Sequence, residues 1–469
     1  MKSNFKQMKK LITLIFILFV IDYDGFCSVG ERPNIIFIFA DDWGWGDLSC
    51  HGHPYIKTPN IDRLAVEGTD FTRFTVASGV CSPSRAAVVT GQFPARQGII
   101  QHFDKVANNV ARGMPDWLSL DAPSLPRFLQ EAGYETALYG KWHLSNSPVT
   151  DSPRPDAYGY DDYAAFNCSG EEMPWFEDTI LANAFIEESI QQDKPFFINL
   201  WIHEPHTPHH SLPKYERMFN HLENREDQIY AAVLAHADDR IGQVLNTLDR
   251  LGITDQTLVV FSSDNGPERA KSGIELLLMD GHATGAGWNI AASRGITGGR
   301  RGFKASVFEG GIGVPFIARW PGKIKAGEID EVSLISAVDL LPTFCELAGA
   351  KLPDDFIPDG VSFTRVLLGD PMLQRKKPLF WKIHPGSRYG SDHWAAFAIV
   401  HDKWKLVTNS EHSRFVLYNI SQDVTESKDL YAEKPETVAY LLAMLEDWEA
   451  TLPEAPFGDV FSKLRESDY

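Results

Sequence analysis

The chain has 469 residues, with 44 Lys and Arg against 63 Asp and Glu, for a formal net charge of −19. Hydrophobic residues make up 43% and aromatics 12%, which excludes wholesale disorder and leaves ample chain to bury a large core. The acidic balance excludes a general nucleic-acid binder, which needs a basic footprint, and taken alone it weighs against an anionic polymer as substrate.

The first expected element is a leader. Met1 and Lys2, then Lys9 and Lys10, precede a run from Leu11 to Ile21 that is apolar except for Thr13 and is ended by Asp22 and Asp24. A basic start and a short apolar run describe a cleaved signal peptide at about residues 1–27, with the cut within 24–30. An exported protein is expected, periplasmic or secreted, with no membrane span. Cys27 goes with the leader. Cys50, Cys81, Cys168 and Cys345 are too scattered for a disulfide framework and match no zinc spacing.

Next come four apolar runs, at 33–40, 134–139, 195–202 and 257–263. They read as strands buried on both faces, as in a parallel sheet flanked by helices. Each delivers polar groups at its C-terminal end: Asp41 and Asp42, Lys141 and His143, His203 through His206, and Asp264 with Asn265. In open α/β sheets that edge is where ligands bind. Apolar residues at helical spacing recur over 61–67, 125–132, 179–191, 228–251 and 338–348. Residues 266–304 are rich in Gly and Ala and read as a long substrate-facing loop. Short strands at 394–400, 404–407 and 415–418 read as an antiparallel meander, followed by a helix at 435–452. The expected fold is therefore α/β, a large mostly parallel sheet flanked by helices over 28–374, with a smaller C-terminal antiparallel-sheet subdomain over 375–469.

Several groups of residues carry chemistry. In Cys81-Ser82-Pro83-Ser84-Arg85 a cysteine opens a helix, with a cation four residues on along the same face. That pattern fits an activated thiol or an anion site, and fits an inert buried cysteine equally well. Asp41, Asp42, Asp264 and Asn265 are hard oxygen donors, suited to Ca²⁺ or Mg²⁺ and not to zinc, although Asp-Asp and Asp-Asn-Gly are also common turn material. Lys141 and His143 lie two residues apart, so in an extended segment they face one way. His203, His206, His209 and His210 crowd one strand end, but Pro205 and Pro208 deny them helical metal spacing. Lys304 precedes a Glu309-Gly310-Gly311 turn, and the neighbouring Arg300 and Arg301 read as a solvated pair or as a second anion contact.

The chain from about Arg32 to Leu452 resembles the formylglycine-dependent (type I) sulfatases, of alkaline-phosphatase-like fold. The resemblance rests on Cys81-x-Pro83-x-Arg85 with Thr90-Gly91, on Pro-Asn-Ile-Ile with Asp-Asp-Trp-Gly, and on Gly-Lys-Trp-His, Pro-His-Thr-Pro, Asp-Asn-Gly, Val-Asp-Leu-Leu-Pro-Thr and Trp-Lys-Leu. It implies that a maturase or formylglycine-generating enzyme oxidises Cys81 to formylglycine, an aldehyde that hydrates to a geminal diol and attacks sulfur. One Ca²⁺ would be held by Asp41, Asp42, Asp264, Asn265 and residue 81. Lys141 and Lys304 would bind sulfate oxygens, Arg85 would steady the diol, His206 would protonate the leaving alcohol, and His143 would act as base for sulfate release. His203, His209 and His210 receive no role and read as solvated loop residues.

Two other classes stay in view. Phosphatases and phosphodiesterases share this fold but carry Ser or Thr as nucleophile, often with two zinc ions, which Cys81 in register disfavours. A non-catalytic glycan-binding relative is disfavoured by the intact residue set. The implied substrate is a sulfated carbohydrate such as ulvan, carrageenan or a glycosaminoglycan, with Trp43, Trp45, Trp142, Trp175 and Trp201 as candidates for sugar stacking or for the core. The net charge adds a limit: recognition of one or a few sugar units at a local basic pocket, rather than a long cationic groove.

Overall fold

The computed structural model describes residues 32–169, 175–271, 273–280, 286–371, 375–384, 392, 394–456 and 458–466. The expected leader lies outside them, as does the side chain of Trp175.

Eight strands form the main sheet: β1 (Asn34–Ala40), β2 (Thr69–Phe71), β4 (Glu135–Lys141), β5 (Asp162–Phe166), β6 (Phe196–Trp201), β7 (Thr257–Ser263), β10 (Phe316–Arg319) and β11 (Glu328–Asp330). Their order is β11-β2-β10-β7-β1-β6-β4-β5. The run β7-β1-β6-β4-β5 is parallel, and β10 is antiparallel to both of its neighbours. The sheet is mixed but mostly parallel, as the apolar runs imply.

β1 explains the layering. Every residue in it is buried, and successive side chains point to opposite faces. Ile35, Phe37 and Phe39 enter one apolar core together with α2 (Cys81–Thr90) and α6 (Leu340–Ala348). Ile36, Ile38 and Ala40 enter another, against α1 (Pro59–Glu67), α4 (Asp178–Gln191) and the 27-residue α5 (Arg225–Leu251). A central strand covered on both sides reads as a continuous apolar run because neither face meets water. Helix α3 (Leu125–Glu131) closes the first layer through Leu125, Phe128 and Leu129.

Short pairings complete the fold: β3 (Phe74–Thr75) pairs with β12 (Ile335–Ser336), and β8 (Leu278–Asp280) with β9 (Ala286–Trp288). The β8–β9 hairpin lies inside the stretch expected to be loop. Its strands have only three residues each, too few for alternation to register in sequence. The C-terminal sheet is antiparallel, β13 (Leu379–Lys382), β14 (Phe397–His401), β15 (Trp404–Thr408) and β16 (Phe415–Asn419), with α7 (Pro435–Glu449) against it. Phe380 of β13 stacks on Trp448 of α7 with ring centroids 4.7 Å apart. Trp381, Ala398, Val407 and Leu417 join the same apolar cluster as Phe37, so this sheet shares the first core of the main sheet.

β4 runs two residues past its expected end, so Lys141 is its last residue and pairs with Phe166. Gly140 makes this possible. Its φ is 111°, and a Cβ there would stand 2.0 Å from the Trp201 carbonyl oxygen. Gly140→Ala should therefore destabilise the protein by about 3 kcal/mol or more, the upper end for point substitutions, read as a lowered urea midpoint at unchanged m-value. A wild-type midpoint would show that the strand can shift to accept the methyl group.

Candidate active site

The C-terminal ends of the parallel strands converge. Parallel pairing continues just past them: Asp41 bridges to Pro205, its N–H donating to Glu204 O at 3.2 Å, and Asp264 N donates to Ala40 O at 3.0 Å. This brings the segments after β1, β6 and β7 together beside Lys141. Helix α2 begins at Cys81, following an extended Val80, and all ten of its residues are buried.

The contacts are close. Cys81 Sγ lies 3.4 Å from Asp41 Oδ1 and 3.4 Å from Lys141 Nζ. Lys141 Nζ donates to Asp41 Oδ2 at 2.5 Å, and Lys304 Nζ to Asp42 Oδ2 at 2.7 Å. Arg85 donates from Nε and Nη2 to Asp264 Oδ2, at 3.1 and 2.7 Å, and from Nη1 to the Lys141 carbonyl at 2.8 Å. Its guanidinium lies over Trp201 at 5.1 Å and Phe39 at 5.6 Å, so this charge is held between aromatic faces. Asp264 Oδ1 accepts from Asp42 N at 3.2 Å, and Asn265 Nδ2 donates to Asp42 Oδ1 at 2.6 Å.

Two histidines differ in setting. His143 is buried, with Nε2 3.0 Å from the Phe103 carbonyl. A carbonyl only accepts, so Nε2 carries the proton and Nδ1 keeps its lone pair, without a hydrogen-bond partner among the described residues. His206 Nδ1 likewise faces the Thr207 carbonyl at 2.5 Å, and its Nε2 lies 3.9 Å from Asp42 Oδ2. The His206 side chain is 20% exposed, against 2% for Lys141 and 8% for Lys304, so it stands at the mouth.

Electrostatics follow from burial. Burial pushes the Asp42 carboxyl up to about 6, with Asp41 and Asp264 adding like-charge repulsion against the pull of Lys304. Burial and Asp41 also raise Asp264, against the pull of Arg85. Burial opposes ionisation of Asp41 too, but nearby positive charge, from His206 when protonated and from Lys141, Arg85 and Lys304, holds it well below the usual carboxylate range. The Cys81 thiol is pushed well up by burial and by Asp264. Both histidines are driven well down, first by burial, with Lys141 adding to it at His143, and Lys304 and Lys141 adding to it at His206 against the pull of Asp41. Asp42 (φ 69°) and His143 (φ 52°) sit in the left-handed region that non-glycine residues avoid. Such strain persists only where surroundings over-determine it, and it clusters at functional sites.

The donors suit a hard divalent cation. Asn265 Oδ1 is buried and accepts no hydrogen bond among the described residues, which leaves a free amide oxygen beside three carboxylates. Ligand atoms of Asp41, Asp42, Cys81 and His206 lie within 4.8 Å of one another. His206, expected at the end of the third strand, is brought beside the acids as the loop after β6 folds back. Two further neighbours were not expected. Glu268 Oε2 lies 3.6 Å from Lys304 Nζ, and the ring of His102 lies 6.3 Å from that of His143. Glu268 could have been sought just after Asp264-Asn265; His102 sits in an unpatterned stretch.

Other expectations need correction. His203, His209 and His210 are buried rather than solvated, and His209 exchanges backbone hydrogen bonds with Trp288 of β9, at 2.8 and 2.9 Å. Arg300 is buried over Trp45 at 4.1 Å and donates to the Gly313 and Thr72 carbonyls, while Arg301 pairs with Asp392. Both are committed to holding loops, which removes them as a second anion contact. Trp43, Trp142 and Trp201 are fully buried and belong to the core rather than to a sugar platform.

Comparison with known proteins agrees with this geometry. Residues 33–350 match the family described as Sulfatase, and residues 301–449 match the C-terminal region of N-sulphoglucosamine sulphohydrolase. Arylsulfatase A of Homo sapiens is 30% identical over 430 residues, covering 82% of this chain and 77% of its own. N-acetylgalactosamine-6-sulfatase of Mus musculus is 31% identical over 404 residues, covering 78% and 72% respectively. The crystal structure of Ps i-CgsB in complex with k-i-k-neocarrahexaose superposes with a TM-score of 0.74 at 26% identity, covering 93% of this chain and 96% of that one. Among the described residues no helix is long and apolar enough to cross a membrane. The chain belongs to the sulfatase family and is a hydrolase of sulfate esters.

Proposed function

We propose that the protein removes sulfate from a carbohydrate, through a formylglycine made from Cys81, after export to the periplasm or the exterior. One observation carries this reading: two buried lysines, Lys141 and Lys304, flank the acids around a cysteine whose burial keeps it a neutral thiol. A neutral thiol is a poor nucleophile, so this setting suits a residue that is chemically converted first. The carbohydrate class is supported by the mouse N-acetylgalactosamine-6-sulfatase and by the neocarrahexaose bound to Ps i-CgsB.

Each residue then has a task. Formylglycine at position 81 supplies the nucleophile, and its carbonyl chemistry splits one difficult displacement into two easier steps. Asp41, Asp42, Asp264 and Asn265, with residue 81 beside them, would hold a divalent cation, Ca²⁺ by their hard oxygen donors, which when bound would supply positive charge for the sulfate. Lys141 and Lys304 turn from the carboxylates to the sulfate oxygens as the substrate enters. Arg85 holds Asp264 and the Lys141 backbone in register beside residue 81. His206, at the mouth, protonates the departing sugar oxygen; the arriving anion favours the proton its Nε2 needs. His143, with Nδ1 kept as a base, takes the proton of the remaining hydroxyl on residue 81, so that the carbon–oxygen bond to sulfate breaks, sulfate leaves and the aldehyde returns. Removal of residues 1–27, a catalytic domain over 28–374, a C-terminal subdomain over 375–469 and a partner maturase belong to the same proposal.

Mass spectrometry of the peptide containing Cys81 should find the aldehyde in enzyme made with a maturase, and Cys81→Ser should lower turnover by about 10⁴-fold or more where only Cys is converted. An unmodified thiol in fully active enzyme would sink the formylglycine reading. Calcium should raise the melting temperature, contributing about 2.7 kcal/mol at 100 times its Kd, and chelator should reverse it. Asn265→Ala should weaken that response, and an unchanged calcium titration would remove Asn265 from the ligand set. On sulfated mono- and disaccharides kcat/KM should vary little with salt; tight binding of long sulfated chains that falls steeply with salt would contradict the local-pocket reading.

A further inference from the structure

We infer that Lys405, on β15 of the C-terminal sheet, is a positioning residue for Lys304: through Glu309 and Glu426 it fixes the turn against which the Lys304 and Asp264–Gly266 segments both rest. The inference builds on the reading of Lys304 as a sulfate ligand.

Lys405 is fully buried, an unusual place for a lysine on a short antiparallel strand. Its Nζ donates to Glu309 Oε1 at 2.7 Å and pairs with Glu426 Oε1 at 2.9 Å, and Glu426 Oε2 accepts from the Glu309 amide at 2.7 Å. One cation thus clamps the side chain of Glu309, while the carboxylate it pairs with clamps that residue's backbone. Glu309 opens the Glu309-Gly310-Gly311 turn. Gly310 N donates to Arg301 O at 2.5 Å, and Gly266 N donates to Gly311 O at 2.8 Å. The segment around Lys304 is tied on two sides, Lys304 N to Pro267 O at 3.0 Å and Ala305 N to Gly79 O at 2.6 Å. Contact is backbone against backbone. A Cβ on Gly266 would stand 1.9 Å from Gly310 O, and one on Gly310 would stand 2.3 Å from Gly302 O. A shift of the turn therefore has no soft side chain to absorb it and passes to Lys304 and to Asp264-Asn265.

Stability alone does not explain this arrangement. Buried ion pairs can often be replaced by neutral groups of similar volume without loss of stability, because desolvation offsets their attraction. What directional charge-assisted hydrogen bonds supply is a fixed location. None of the three residues contacts the acids around Cys81, so any effect on turnover must act through the turn.

The test uses full-length matured enzyme and the triple variant Lys405→Met, Glu309→Gln, Glu426→Gln, in which all three side chains are uncharged. We expect it to melt near the wild-type temperature while amides of 264–268 and 302–313 exchange faster with deuterium. On an aryl sulfate, kcat/KM should fall about 10–100-fold, as for outer partners of metal ligands. In a Lys304→Ala background the same three changes should cost about 2-fold or less, because the group they position is gone. Unchanged exchange in both segments, or an equal loss in both backgrounds, would overturn the inference. Should the triple variant fail to fold, Glu426→Gln, which keeps an acceptor for the Glu309 amide, must raise exchange in the same segments. If Lys304→Ala alone keeps full turnover, the reading of Lys304 falls, and the exchange data still decide whether Lys405 holds its segment.

Discussion

Three buried carboxylates, Asp41, Asp42 and Asp264, face three buried cations, Arg85, Lys141 and Lys304, and the rest of the structure is arranged to keep them there. Taking charges out of water costs several kcal/mol each unless geometry returns it. Here the geometry comes from parallel strands. β1 and β7 run side by side, so their ends deliver Asp41-Asp42 and Asp264-Asn265 at adjacent points, and β4 and β6 deliver Lys141 and His206 nearby. Breaking any one pair would leave an uncompensated charge in the interior, so the site and the sheet edge support each other.

The local backbone takes the strain this requires. Asp42 turns into the left-handed region directly after β1, and His143 does so two residues past the end of β4. Neither is a glycine, and each is held by neighbours: Asp42 by Asp264, Asn265 and Lys304, His143 by the Phe103 carbonyl. A site set up this way is preorganised for an incoming anion. The two lysines are already paired with Asp41 and Asp42, so on the proposed reading the reorganisation left for substrate binding is an exchange of acceptors from carboxylate to sulfate.

Much of this was legible in sequence because burial on both faces writes a continuous apolar run. The four central strands and five helices follow from that pattern, and a polar residue straight after such a run can only sit at the sheet edge. The strand-end acids follow from the same pattern, whereas Cys81, Arg85 and Lys304 enter the cluster only through the resemblance to the type I sulfatases. What stayed illegible depends on long-range folding back. His209 and His210 pack against β9, whose pairing with β8 is too short to show alternation, and His203 lies against Phe166 and the other histidines. Arg300 and Arg301 looked like a solvated pair, yet Trp45 and Asp392, both distant in sequence, claim them. Lys405 is the plainest case. Nothing near it in the chain is acidic enough to predict burial, and its partners come from an active-site turn almost a hundred residues earlier and from a loop after β16.

The overall charge of −19 and the basic character of the site are reconciled by where the charges sit. The six charged groups of the cluster are buried and mutually paired, so they add little to the field outside. At physiological salt that field fades within about 8 Å in any case. A sulfated ligand therefore gains little from long-range attraction and must be recognised after contact. His206 is the part of the cluster that reaches toward solvent, and Glu268 stands beside the buried Lys304. If Lys304 binds sulfate as proposed, the neighbouring acid would repel a second sulfate on the adjacent position and could accept a hydrogen bond from a free hydroxyl there. On the proposed reading, discrimination between sulfated sugars rests on these mouth residues, while the buried core of the site would supply chemistry common to every sulfate ester that reaches it.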